Sequence, residues 1–164
     1  GVGMWALGYD DGSSKLWNEL RCRYAPGTLP LPDRPQGIVV RSFAPDTVYF
    51  HIASQDFTDG FFVYFGTDGT HFPDSLYCPT NEGLLPGFVP DSLYFFKFRA
   101  QNKRGFSPFS SMLAVCGSSG LAQALIVDGF DRNNHNTFDF IRAHAFALHA
   151  QGISLASAQN EALI

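Results

Sequence analysis

The chain has 164 residues, a formal net charge of −4, 45% hydrophobic and 16% charged residues. That balance suits a folded chain rather than a disordered one, and it gives no basic footprint for nucleic acid and no polybasic membrane signal. No apolar run is long enough for a helix to span a bilayer. The 17 Phe and 6 Tyr fall mostly in short alternating runs, which favours β structure.

Residues 1–24 read as a buried strand, Gly1-Val2-Gly3-Met4-Trp5-Ala6-Leu7, a polar turn with Asp10 and Asp11, and a helix. Ser13 or Ser14 caps that helix, and Leu16, Trp17 and Leu20 recur along it at helical spacing. Residues 25–34, with Pro26, Gly27, Pro30 and Pro32, read as a semi-rigid extended linker.

From residue 35 to 117 the pattern is that of a β-sandwich. Val48, Phe50 and Ile52 alternate with polar neighbours, and so do Phe61, Val63 and Phe65, after which Thr67–Thr70 reads as a tight hairpin turn. The clearest alternation runs from Leu93 to Gln101. Tyr94, Phe96, Phe98 and Ala100 share one face, and Phe95, Lys97, Arg99 and Gln101 the other. Asn102–Gly105 makes the next turn, and Met112–Val115 a last short strand. This region is expected to fold alone. Tyr49, Phe62, Tyr64 and Phe95 would point outward as an aromatic patch.

The stretch Phe88-x-Pro90-Asp91-Ser92-x-Tyr94-x-Phe96-x-Phe98-x-Ala100-x-Asn102-x-x-Gly105-x-Ser107 resembles the hallmark of the fibronectin type III family. Gly60–Gly69 resembles that family's third strand and following turn. The resemblance implies a mainly β, immunoglobulin-like sandwich in which Phe88, Tyr94 and Gly105 are structural. It makes Tyr94 the corner tyrosine, whose hydroxyl bonds to the backbone upstream. Where the family usually buries a Trp on the second strand, this chain has Ile52.

Residues 118–122 read as a short linker. From 123 to 164 the sequence reads as the opening of an α/β domain. Ala124–Val127 is a strand, Thr137–Ala150 a helix with Phe138, Ile141, Ala145 and Leu148 on one face, Gly152 its stop, and Ile153–Leu155 the next strand. Both ends of the chain read as cut from a longer protein.

Two further resemblances bear on function. Residues 1–10 resemble the last strand of a family 18 glycoside hydrolase barrel, which makes Trp5 a sugar-stacking, substrate-binding platform. The family's acidic motif is absent, so no catalytic residue is expected in this chain. Leu125–Arg132, with Ser157, Asn160 and Glu161, resembles a domain of secreted bacterial proteins described as xanthan lyase-like or golvesin-related. Asp128 and Asp131 then stand where open α/β sheets place ligands, though turn residues fit the same pattern.

Three cysteines, Cys22, Cys78 and Cys116, form no CxxC pair, and Cys78 and Cys116 are expected as free thiols on distant strands. His144 and His149 are five apart and do not share a helical face. No metal or cofactor is expected. The leading expectation is a non-catalytic spacer or interaction module of an extracellular, cell-surface or periplasmic carbohydrate-active protein. Its partners would be neighbouring domains and a polysaccharide or peptidoglycan glycan. The alternatives are a carbohydrate- or protein-binding sandwich, and hydrolase or lyase activity carried by the flanks.

Overall fold

The computed structural model describes residues 29–53, 55–117, 121–129 and 140–162. Trp5, Asp10, Asp11, Cys22, Asp131 and Phe138 lie outside the described residues. The described chain is mainly β and mostly antiparallel.

Seven strands build two facing layers. One layer is β1 (Val39–Ala44), β2 (Thr47–His51) and β5 (Glu82–Pro86). The other is β4 (Asp74–Cys78), β3 (Gly60–Gly66), β6 (Leu93–Asn102) and β8 (Leu113–Cys116), in that spatial order. A two-residue strand, β7 (Gly105–Phe106), folds back on the end of β6.

Alternation decides what goes inside, because successive side chains leave a strand on opposite faces. Val48 and Phe50 of β2, Phe61 and Val63 of β3, and Phe96, Phe98 and Ala100 of β6 meet in one core with Ile38, Val40, Leu85, Phe88, Leu113 and Val115. Ile52 lies just past β2 and is fully buried. The expected tight turn after β3 is instead the longer loop 67–73. There the Asp68 carboxylate accepts the Thr70 and His71 N–H groups, each at 2.7 Å.

The C-terminal segment forms a parallel β-α-β unit, whose second strand begins at Leu155, where the expected strand Ile153–Leu155 would have ended. β9 (Ala124–Asp128) pairs in register with β10 (Leu155–Gln159), and the described crossover helix, α1, spans Phe140–Ala150. The helix stops at Gly152, whose φ of +69° suits the left-handed C-terminal cap. This unit is not a separate body beyond 118–122. Its helix buries Ile141 and Ala145 against Leu93, Phe95, Ala114, Cys116 and Leu155, making a second core on the outer side of β6 and β8.

Strand β10 also bridges the open edges of the two layers. Leu155 pairs with Cys116 of β8, while Ser157 and Ala158 pair with Val40 and Val39 of β1. All five β10 residues are buried, and its polar side chains are matched to backbone groups. The Ser157 hydroxyl accepts the Ala114 N–H at 2.7 Å and donates to the Ala114 carbonyl at 2.8 Å. Gln159 repeats this at Ile38: its N–H donates to Ile38 O at 2.8 Å and its Oε1 accepts the Ile38 N–H at 3.1 Å. Small residues at 156–158 let three strands meet without strain.

The described end of the proline-rich stretch is packed rather than free. Pro30, Pro32 and Pro35 are buried. Asn102, itself buried, donates from Nδ2 to Pro30 O at 2.7 Å and to Phe57 O at 2.8 Å. Its Oδ1 accepts the Arg104 and Gly105 N–H groups. One amide thereby ties the entering chain, the loop after β2 and the β6–β7 turn together.

Candidate functional site

The outward faces of β3, β4 and β6 carry the densest group of exposed aromatic side chains among the described residues. Strand register sets two outward rows: Arg99, Phe62 and Tyr77, and beside it Lys97, Tyr64 and Ser75. Two further rings come from the chain after β6. Phe106 sits on β7, and Phe109 follows Pro108.

The placement of residues 107–111 explains why those rings reach the face. Pro108 has no N–H, so a regular ladder with β6 is broken there. Two serines replace it. The Ser107 hydroxyl accepts the Ala100 N–H at 2.9 Å, and the Ser110 hydroxyl accepts the Phe98 N–H at 3.0 Å. Their own N–H groups donate to Ala100 O and Phe98 O. The segment thus tracks β6 while Phe106 and Phe109 join the outward rings.

Five rings form a connected cluster. Phe62 lies 5.2 Å from Tyr77, 6.3 Å from Tyr64 and 5.6 Å from Phe106, and Tyr64 lies 5.1 Å from Phe109. The rings meet at 36° to 77°, so they present edges and faces rather than one flat platform. The Arg99 guanidinium lies 4.9 Å from the Phe106 centroid and 4.7 Å from that of Phe109, and its Nε donates to Ser107 O at 2.9 Å. It is therefore held by cation–π contacts and a backbone anchor. Tyr77, Phe106 and Phe109 are each at least 40% exposed.

Of the aromatic residues expected to point outward, Phe62 and Tyr64 belong to this face. Phe95 does not: it is fully buried, 5.4 Å from Phe146 of α1, because the C-terminal helix covers that end of the sheet. Tyr49 lies on the other layer, beneath Arg41 and bonded to Glu82 at 3.1 Å. Burial, and then the hydrogen bond to the Glu82 carboxylate with that carboxylate's charge, push the Tyr49 hydroxyl pKa up.

Phe88 is buried between Phe65, Tyr94 and Phe96, with ring centroids 4.8–5.6 Å away. The Tyr94 hydroxyl accepts the Val89 N–H at 3.3 Å. Gly105 has φ +151°, and a Cβ there would stand 3.1 Å from the Leu31 side chain, so both backbone and space favour glycine.

Asp128 ends β9 half-buried, in register with Gln159, and its expected companion Asp131 is outside the described residues. Among the described residues no cluster of three His, Cys, Asp or Glu side chains could hold a metal ion. Cys78 and Cys116 are free, on the non-adjacent strands β4 and β8. Cys116 lies 3.4 Å from His149 Nδ1, a pairing that invites comparison with a nucleophile and its base. Burial and the nearby Asp91 charge push its thiol pKa up, which keeps the sulfur protonated and poorly nucleophilic.

No protein-family model and no curated protein matches the chain. Solved structures do align with it. The FN1–FN3 domains of chicken CNTN1 are 14% identical over 54% of this chain and 32% of that one, with a TM-score of 0.46. FN3tt is 23% identical over 56% of this chain and 99% of that one, TM-score 0.47. The third fibronectin III domain of human KIAA0343 is 18% identical over 60% of this chain and 92% of that one, TM-score 0.47. The chain thus spans about a third of the CNTN1 structure and nearly all of the two single domains.

Proposed function

We propose that the chain is a non-catalytic interaction module of an extracellular carbohydrate-active protein, docking polysaccharide on the outer face of β3, β4 and β6. The observation that carries this reading is the cluster of exposed Tyr77, Phe106 and Phe109 with half-buried Phe62 and Tyr64 around an anchored Arg99. Aromatic faces stack on the C–H surfaces of sugar rings, and a guanidinium held beside them supplies oriented hydrogen bonds. The carbohydrate context is supported separately by the resemblance of residues 1–10, with Trp5, to a glycoside hydrolase strand.

A spacer role is compatible and has its own support. The entering segment is tied down by Asn102, and β10 pairs with both β1 and β8, an anchoring at both ends that suits a spacer. The test is electrophoresis of the chain through gels containing a panel of neutral, acidic and amino-sugar polysaccharides. Retardation in at least one gel is expected, and the double variant Tyr77→Ala/Phe106→Ala should migrate as in a blank gel while keeping its melting transition. No retardation in any gel refutes docking and leaves only the spacer. Turnover of fluorogenic N-acetylglucosamine oligomers by this chain would overturn its non-catalytic character.

A further inference from the structure

The outer face is cationic as well as aromatic, in a chain whose net charge is −4. Its two rows, Arg99–Phe62–Tyr77 and Lys97–Tyr64–Ser75, contain no carboxylate. Among the described residues neither Lys97 nor Arg99 has an acidic partner, and Asp68 of loop 67–73 is paired with His71. Lys97 Nζ instead lies 4.9 Å from the Phe72 ring centroid, and Arg99 is flanked by two rings. Each positive charge on this face is thus coupled to an aromatic surface at the scale of one sugar unit.

We propose that the polysaccharide taken by this face is an acidic one, built from uronic acid units. This rests on the reading of the face as a glycan-docking surface and adds the ligand's charge class. A uronate unit carries an apolar C–H face and a carboxylate together, the same pairing inverted. Arg99, its Nε already engaged, offers its remaining N–H groups to a carboxylate, and Lys97 offers a second point charge two residues along the strand. Tyr64 and Tyr77 offer ring faces with hydroxyls at their tips. The inclined rings suit a single soluble chain lying across the face, whereas a flat crystalline polymer would need coplanar rings. An acidic peptide would meet the charges but would need apolar side chains at every alternate step to use the rings.

The experiment is calorimetric titration of the full chain with three probes: oligogalacturonate, a neutral cello-oligosaccharide, and polyglutamate. Oligogalacturonate should bind, and more weakly as salt is raised from about 0.05 to about 0.5 M. Arg99→Gln should weaken it by roughly tenfold or more, the scale of one charge-assisted hydrogen bond. Because Arg99→Gln also removes the stack holding Phe106 and Phe109, Lys97→Gln serves as a second variant. Its ammonium lies over the Phe72 ring and has no acidic partner among the described residues, so the variant should fold normally and still weaken binding several-fold. Equal binding of the neutral probe overturns the acidic class while leaving glycan docking intact. Equal binding of polyglutamate shows charge without sugar recognition and overturns both readings, whereas binding of none of the three overturns the acidic class and leaves glycan docking to be decided by the gel panel. Unchanged affinity in both variants places binding elsewhere and also overturns the proposal.

Discussion

The hydroxyl of Ser157 is the most exacting point in the junction between the C-terminal unit and the sandwich, and Ser157→Ala tests it. Ser157 and Ala114 are both fully buried, and one hydroxyl satisfies both the N–H and the carbonyl of Ala114. Alanine removes that hydroxyl while leaving β10 its backbone pairing, so the loss falls on two backbone groups with no water to replace their partner. A buried polar group stripped of its partner costs about 1–3 kcal/mol, and partial relaxation sets the expected total at roughly 2–4 kcal/mol. Urea unfolding followed by circular dichroism measures this as a lower midpoint at an unchanged slope. Amide exchange adds a local reading: the Ala114 N–H should exchange faster in the variant, while the Phe98 N–H, held by Ser110, should not. A variant within about 0.5 kcal/mol of the parent, with Ala114 still protected, would refute the account of β10 as the strand that closes the sandwich.

Tyr94→Phe should lower stability by about 0.5–1 kcal/mol, since it removes one long hydrogen bond to the Val89 N–H, whereas Tyr94→Ala should cost about 3 kcal/mol by emptying the space beside Phe88. Equal melting temperatures for Tyr94→Phe and the parent would remove the hydroxyl from the corner's energetics. The Asp68 carboxyl is held well below the ordinary carboxylate range, first by the His71 N–H, then by the His71 side chain and the Thr70 N–H. A depressed folded-state pKa contributes stability that is present above the unfolded value of about 3.9 and is lost as pH falls toward the folded value. Loop 67–73 should therefore keep its shape down to about pH 4 and open only below it, as followed by chemical shifts of Thr70 and His71. Asp68→Asn should abolish that acid transition, and a parent transition near neutral pH would refute the assignment.

The sandwich was legible because β2, β3 and most of β6 bury one face more deeply than the other. Alternation along β6 separates Phe96, Phe98 and Ala100 from Lys97 and Arg99, and the structure keeps that division. Phe95 marks where the reasoning fails. Its face is polar further along the strand, and only a helix some fifty residues later in the chain turns its own position into core. Edge strands β4 and β5 carry weak patterns because much of each is solvated on both faces. Strand β10 hides for the opposite reason: its Ser and Gln are buried, and nothing in a run of Leu-Ala-Ser-Ala-Gln shows that they serve another strand's backbone. Most of the aromatic face was also out of reach. Phe106 and Phe109 follow the Asn102–Gly105 turn in a stretch without alternation, and only its return along β6 brings Phe106 beside Phe62 and Phe109 beside Tyr64.

The C-terminal strand and the aromatic face are joined through one short relay. Gln159, whose backbone and Oε1 hold Ile38, donates from Nε2 to the Ser111 hydroxyl at 2.7 Å. Ser111 in turn accepts the Ser110 hydroxyl through its carbonyl at 2.7 Å, and Ser110 pins the segment to Phe98. That segment carries Phe109, which packs on Tyr64 and covers Arg99. The same strand that closes the sandwich thus braces the loop that carries part of the aromatic face. A face built from rings on a loop would ordinarily give up binding free energy to ordering on contact. Here the segment is already held, by Ser107 and Ser110 to β6 and by Gln159 to Ser111, so less ordering is left to any contact made on this face.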